Sequence, residues 1–476
     1  MNSRPLNLLV ICLDTFRMDC FMHQSPWNIH IPRLDQIRKD SIVFTSAFGE
    51  GQPTIPIRRA YFTGQRSFPW RFRFDAKGMW PSGRGWHKIS PEQETMAEIL
   101  LRHGYQTGLI SDTYHMFKST ANFTRGFMQY EFVRGYESDN YRGGRIDGRT
   151  LRPFVRDPDP KKHPILTQYL LNVQDRHEEE DWLTAQTFSR AERWLTDHRD
   201  VTPFFLWVDS FGPHEPWDPP REYLEPYATD PSFEGIEFIY PVGLKREDLS
   251  ASEAQRVIEL YLAYLTFVDT RVGRLLDTLD RTGQTDHTVV MIVSDHGTEL
   301  LDHGQFSKHP SHLYTHNTQL IWTIRHPHKN ATHCDALVQS HDVFPTALSL
   351  LRINYDHVDG ENAWQWIQGK EPQRDVAITG WGSYAAVRTV RWNYFVNFEN
   401  PELKEVLFDR SVDPLEMHDV ISEYPKQARE LRQELESFLG SRLPVQLNDT
   451  VGAEEAPIRV YLGSNTSQDK RDAGFV

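Results

Sequence analysis

An α/β chain with one large, mostly parallel sheet sandwiched by helices, followed by a smaller C-terminal α+β unit with an antiparallel sheet, is the architecture this sequence predicts. Three observations predict it. Four apolar runs, LLVICLD, TGLISD, PFFLWVD and TVVMIVSD, each stop on an aspartate, at Asp14, Asp112, Asp209 and Asp295. Runs of that length, rich in Val, Ile, Leu and Phe, read as strands buried on both faces. Helical segments alternate with them over most of the chain, so successive strands lie parallel. After Gly369 the texture changes to short strands, DVAITGW, AAVRTVRWNYFVNF and KEVLFD, and then a helix over 428–439. We expect a large α/β domain over residues 1–369, the α+β unit over 370–443, and a tail, 444–476, acting as a contact between copies of the chain.

In chain order, LLVICLD gives the first strand and SIVFTSAF the second, after which Pro56 is placed to open a helix. Ser90-Pro91-Glu92-Gln93 reads as a capping box for a helix with Met96, Ile99 and Leu100 on one face and a stop at Gly104. The strand ending at Asp112 follows directly. A segment over 123–164, rich in Arg, Asp, Gly and Pro with scattered aromatics, reads as a lid or a contact surface. Residues 182–197 form a helix before the strand ending at Asp209. Residues 253–279 form a longer one, with Val257, Leu260, Tyr264, Val268, Val272, Leu275 and Leu279 on its apolar face, before the strand ending at Asp295.

Composition narrows the function classes. At 476 residues the chain can bury a large core. A formal charge of −14 leaves no basic footprint, which excludes nucleic acid as an expected partner. Three cysteines, Cys12, Cys20 and Cys334, have no spacing that suggests disulfides or a zinc knuckle. No run approaches membrane-spanning length, and the N-terminal apolar stretch is too short for a signal sequence. The expectation is a cytoplasmic homo-oligomer that takes a small-molecule ligand and engages no membrane.

Ligands of open α/β sheets bind beyond the carboxyl ends of the strands. Four strand-end carboxylates would therefore converge on one edge, where their mutual repulsion calls for a cation. Asp295 is followed at once by His296 and Gly297, so one strand delivers an oxygen and a nitrogen ligand together. Taken singly, each aspartate reads better as a turn residue or helix cap. Asp14 and Asp295 rise above that reading because other site chemistry clusters beside them; Asp112 reads as structural, and Asp209 stays open. The second site segment is Pro53-Thr54-Ile55-Pro56-Ile57-Arg58, leading to Phe62-Thr63-Gly64. Thr54 would sit at a helix start, where free N–H groups favour an anion, with Arg58 one turn on along the same face. Alone, that pair reads as an ordinary cap and a surface arginine.

Together the motifs resemble the sulfatase family of the alkaline phosphatase superfamily. NLLVICLDTFR is similar to its opening strand, and Thr54 to Arg58 to its Cys/Ser-x-Pro-Ser-Arg signature. Pro213-His214-Glu215-Pro216 is similar to its Pro-His-x-Pro segment, and Ser294-Asp295-His296-Gly297 to its second metal motif. Lys308 stands where the family places a substrate-binding lysine. Arg388 to Tyr394 and Leu407-Phe408-Asp409 resemble its C-terminal subdomain. The departures carry functional information. Thr54 cannot be oxidised to formylglycine as the family's cysteine or serine is. The family's paired aspartates are here Asp14-Thr15, its Asp-Asn pair is Asp295-His296, and Thr113-Tyr114-His115 keeps only the histidine of a Lys-Trp-His segment.

These differences resemble a threonine-nucleophile variant akin to phosphonate monoester hydrolases and phosphodiesterases. The resemblance implies a divalent metal on Asp14, Thr54, Asp295 and His296, with Mn²⁺ or Zn²⁺ favoured over Ca²⁺ by the imidazole. It implies attack by Thr54, anion neutralisation by Arg58 and Lys308, and leaving-group protonation by His214 or His115. Three alternatives stay open: a sulfuric ester hydrolase, a non-catalytic metal binder, and a binuclear nucleotide pyrophosphatase-like enzyme with a second metal on Asp209, His214 and His309. His309, His312 and His316 form a local cluster after Lys308, any of which is a candidate ligand.

Overall fold

The computed structural model describes residues 5–70, 83–118, 121–400, 402 and 404–447. The strand Asn7–Leu13, buried throughout, lies inside an eight-stranded sheet. Across the sheet the order is Thr332–Cys334, Ile42–Phe44, Trp322–Arg325, Thr288–Ser294, Asn7–Leu13, Phe204–Ser210, Gln106–Ser111 and Gln129–Phe132. Trp322–Arg325 runs antiparallel to both neighbours, and the other pairings are parallel. Leu9, Ile11 and Leu13 face one core, while Leu8, Val10 and Cys12 face the other. A strand apolar at every position must be covered on both sides, because its side chains alternate.

Helices Leu183–Asp197 and Ala251–Arg281 cover the first face; Thr54–Thr63, Met96–Arg102 and Val343–Leu350 cover the second. Gly108 lets the first layer close on the sheet, since a Cβ there would lie 2.8 Å from the Trp194 ring. Each buried Leu, Ile or Val in these layers stabilises the fold by roughly 1.5–3 kcal/mol.

Local details differ from expectation. The helix expected to open at Ser90 opens at Thr95, whose hydroxyl accepts from Glu98 N (3.2 Å) while the Glu98 carboxylate accepts from Thr95 N (2.9 Å). Ser90 and Gln93 make only an isolated turn, Ser90 N donating to Gln93 Oε1 at 3.1 Å. Both tetrads fit a capping box, but only the later one starts a helix directly before Met96, Ile99 and Leu100, which enter the core. The helix expected from Pro56 begins at Thr54, capped by Pro53. SIVFTSAF is two short strands, Ile42–Phe44 and Ala47–Phe48, the second pairing with Val338–Gln339.

The C-terminal sheet joins Ala377–Trp381, Tyr384–Arg388, Trp392–Asn397 and Val406–Asp409 in sequence order, all antiparallel. Helix Pro425–Leu439 packs on it through Ala428, Leu431 and Leu435. This core is not closed by its own residues: Phe68 and Trp70 from the large unit lie within it. The backbone joins too, with Gln52 N donating to Gly380 O (2.8 Å) and Gly380 N to Glu50 O (2.9 Å). The tail expected to contact other copies lies, from residue 448 on, outside the described residues. No helix among the described residues is long and apolar enough to cross a membrane.

Candidate active site

Strand register builds the site. Leu13 lies opposite Ser210 on one neighbour and Ser294 on the other, so Asp14 and Asp295 leave adjacent parallel strands together. Asp209 is opposite Cys12 and sits one step deeper. His296 Nε2 lies 3.8 Å from Asp14 Oδ1, 3.5 Å from Asp295 Oδ2 and 3.5 Å from Thr54 Oγ1. All four side chains are buried. His296 Nδ1 is 2.9 Å from Gly297 O, which can only accept, so the proton belongs on Nδ1 and the Nε2 lone pair faces the carboxylates. Burial lowers the His296 imidazole to about 4. Burial and the neighbouring Asp295 push Asp14 well above the carboxylate range, while His296 and Arg58 hold Asp295 below it despite its own burial.

A divalent ion fits this donor set. Asp14, Asp295 and His296 offer ligand atoms within 4.8 Å of one another, and Asp14 Oδ2 makes no aligned hydrogen bond, its neighbour being the Arg58 guanidinium at 3.1 Å. Thr15 holds the two carboxylates in place: its N–H donates to Asp295 Oδ1 (3.0 Å) and its hydroxyl to Asp14 Oδ1 (2.6 Å). To do so it adopts φ 62°, a strained conformation for a β-branched residue. Thr15 thus stands as a clamp where the family resemblance implied only a missing ligand.

Arg58 was expected to face the substrate anion, but its guanidinium is fully buried among carboxylates. Nη1 reaches Asp295 Oδ2 (2.5 Å) and Asp14 Oδ2 (3.1 Å), Nη2 reaches Asp209 Oδ1 (2.8 Å), and Nε is 3.1 Å from both Asp209 oxygens. Asp209 also accepts from Thr113 Oγ1 (2.6 Å) and Trp207 Nε1 (3.0 Å). Its lone pairs therefore orient Arg58. The trio Asp209, His214 and His309 is not brought together among the described residues: His309 is exposed and its Nδ1 pairs with Ser311 Oγ at 2.7 Å. Asp112 is structural, as read, with Oδ1 accepting from Phe211 N at 2.5 Å; burial raises it to about 7.

Lys308 enters from the other side. Its Nζ is 3.0 Å from His214 Nε2, 3.0 Å from Glu215 Oε2 and 3.5 Å from Thr15 Oγ1. His214 Nδ1 is 2.6 Å from Glu215 O, so Nδ1 donates and Nε2 accepts from the ammonium. Burial and Lys308 lower His214 to about 3, whereas Glu215 and Asp14 raise Lys308 against the effect of its burial. The Lys308 ammonium thus faces the Nε2 of His214, one of the two histidines expected to protonate the leaving group. His115, also lowered by burial, lies 3.9 Å from Glu137 through Nε2 and leaves Nδ1 without a hydrogen bond. Burial and Glu215 raise Glu137 to about 8, and it also faces His214 Nδ1 at 3.6 Å.

Sequence reading missed Glu215 and Glu137 as members. Glu215 lay in plain view between His214 and Pro216. Glu137 carries no local signal, being delivered by the 123–164 segment.

A buried cluster of candidate metal ligands at the carboxyl edge of a doubly covered sheet, with a hydroxyl at a helix start, accords with an ester hydrolase of the alkaline phosphatase-like architecture. A family model described as Sulfatase matches residues 6–353, and the chain belongs to the sulfatase family, whose enzymes depend on a divalent metal. A sulfatase of Formosa agariphila is 24% identical over 452 residues, covering 86% of this chain and 82% of its own. The uncharacterized sulfatase YidJ of Escherichia coli is 26% identical over 458 residues, covering 88% and 84%. The crystal structure of the phosphonate monoester hydrolase of Agrobacterium radiobacter shares the fold with a TM-score of 0.70 at 20% identity, over 92% of this chain and 96% of that one.

Proposed function

We propose that this ester hydrolase cleaves phosphodiesters or phosphonate monoesters through Thr54 and a covalent phospho-threonine. The observation that carries the reading is the side chain at the helix start, 3.5 Å from His296: a hydroxyl that cannot become formylglycine. Formylglycine releases sulfate by elimination from its geminal diol, a route closed to threonine. Charge supports the same choice. Among the groups in direct contact, and with Asp14 ionised once a metal is bound, Asp14, Asp209, Asp295 and Glu215 are balanced by Arg58, Lys308 and one divalent ion, while Glu137 is raised to about 8. A neutral pocket suits a monoanion better than a dianion.

Asp14, Asp295, His296 and Thr54 Oγ1 would hold the ion, with Mn²⁺ or Zn²⁺ favoured by the imidazole donor. When bound, it lowers the pKa of the hydroxyl and neutralises substrate oxygen charge. Thr54 Oγ gives up its proton to solvent water and forms the new bond to phosphorus as the bond to the leaving oxygen breaks. Lys308 supplies the proton to that oxygen, directly or through His214. Water then cleaves the phospho-threonine and regenerates the hydroxyl. The three cysteines are unpaired, which accords with a cytoplasmic setting.

The test is kcat/KM on phosphodiester, phosphonate monoester, phosphate monoester and sulfate ester substrates with one aryl leaving group. The two singly charged phosphorus esters are expected to lead. The relatives' sulfatase names make the sulfate ester the competing reading, and a clear preference for it would overturn the role given to Thr54.

A further inference from the structure

The Asp295-His296 strand end runs into a second cluster of donors that the reaction does not use. Glu299, fully buried, lies with His303 and His316 so that one ligand atom of each falls within 4.8 Å of the others. His303 Nδ1 is 3.4 Å from Glu299 Oε2 and 3.2 Å from His316 Nε2, which is 3.9 Å from Glu299 Oε1. His312 Nδ1, buried and without a hydrogen-bond partner, points at the same carboxylate from 3.6 Å. Donors at the corners of a tetrahedral zinc site, about 2.0–2.1 Å from the ion, stand about 3.3 Å apart. The separations among Glu299, His303 and His316, and that from His312 to Glu299, run from 3.2 to 3.9 Å, near that edge, with His312 standing outside the tight group of three.

The surroundings have the form of an outer shell. His303 Nε2 lies 3.2 Å from Glu416 O, which places the proton there and frees Nδ1 as a donor atom. The His303 ring stacks on Tyr314 with centroids 3.5 Å apart. Asn317 Nδ2 and His303 N each donate to Glu299 at 3.0 Å, orienting one oxygen apiece. His303 and His312 keep partial exposure, at 10% and 21% of the side chain, which leaves a way in for an ion.

We propose that Glu299, His303 and His316, joined by the nearby His312 when the ion is bound, form a second, structural site for a tetrahedral N/O-ligated divalent ion such as Zn²⁺, separate from the catalytic one. Of the three histidines that the sequence clusters after Lys308, the fold brings His312 and His316 to this site and leaves His309 outside. The site closes the loop that carries His296 at its start and Lys308 near its middle. Gly297 N donates to Asn317 O at 3.2 Å, and Glu299 pairs in a short antiparallel ladder with Ser307. An ion there pins that loop to Glu416 of the C-terminal unit.

The test counts ions on the full chain loaded with Zn²⁺ or Co²⁺ and then dialysed. The wild type is expected to keep two per chain, Asp295→Asn one, His316→Asn one, and the double variant none. Co²⁺ in Asp295→Asn should give the intense visible absorption of a tetrahedral site. Chelation of that variant should lower its Tm, an effect that His303→Gln abolishes. One ion in the wild type and none in Asp295→Asn would overturn the proposal and leave a proton shared between His303 and His316 as the cause of their contact. If His316→Asn does not fold, the wild-type and Asp295→Asn counts decide alone. Substrate preference enters none of these readouts, so the site stands or falls apart from the proposed reaction.

Discussion

At Thr54 the chemistry is separable from the fold, because the hydroxyl accepts no helix cap and its removal leaves Ile55 and Ile57 packed. Thr54→Ala is expected to keep the thermal transition and lose at least about 10³-fold in kcat, whereas Thr54→Ser keeps a hydroxyl and much of the rate. Stopped assays and scanning calorimetry on the two variants check this; near-normal turnover in Thr54→Ala would point to water as the nucleophile. Asp295→Ala should lose both activity and the catalytic ion, seen as one fewer ion per chain. Asp209→Asn behaves differently if its task is to hold Arg58. It keeps its metal content but destabilises the chain by up to about 3–5 kcal/mol, because a buried arginine loses the carboxylate that its Nε and Nη2 share. Denaturant midpoints measure that cost, and loss of an ion in this variant would restore Asp209 as a ligand.

Among the elements, the strand Gln106–Ser111 ends on a group whose titration is tied to folding. Asp112 sits near 7 in the folded chain against an ordinary 3.8, because burial disfavours its charge. The folded state therefore binds a proton that the unfolded state releases. The group's contribution is fully present below about pH 4 and is lost as pH rises towards 7. Asp112→Asn removes the titration, so its urea midpoint relative to wild type should be higher at pH 8 than at pH 5. Thr95→Ala should cost about 0.5–2 kcal/mol and Ser90→Ala far less, since only Thr95 caps a helix. The buried strands were legible because burial on both faces leaves an unbroken apolar run ending on an acid. The competing caps at Ser90 and Thr95 were not, because tertiary packing chooses between equal local signals. Asp14, Asp295 and His296 were legible from strand ends. Glu137, Thr15 in its clamping role and the Glu299–His303–His316 cluster depend on contacts between distant segments, which spacing does not encode.

At the scale of the molecule, the C-terminal unit shares its core with the segment that follows the helix Thr54–Thr63. Phe68 is fully buried against Trp70 and Phe398, with ring centroids 5.1 and 5.8 Å away. Phe68→Ala is therefore expected to cost about 3–5 kcal/mol and to lower one common transition rather than a separate C-terminal one. Two calorimetric transitions moving independently would argue that the units are autonomous. The pairing of Gln52 and Glu50 with Gly380 has a further consequence, in time rather than in space. The backbone leading into Thr54 finds its partner more than three hundred residues later in the chain. A nascent polypeptide on the ribosome will already contain Thr54 and the strand ends at Asp14 and Asp295 before the strand Ala377–Trp381 that pairs with this backbone has been made. The backbone contact at the approach to that hydroxyl thus forms last, once the final quarter of the chain has emerged.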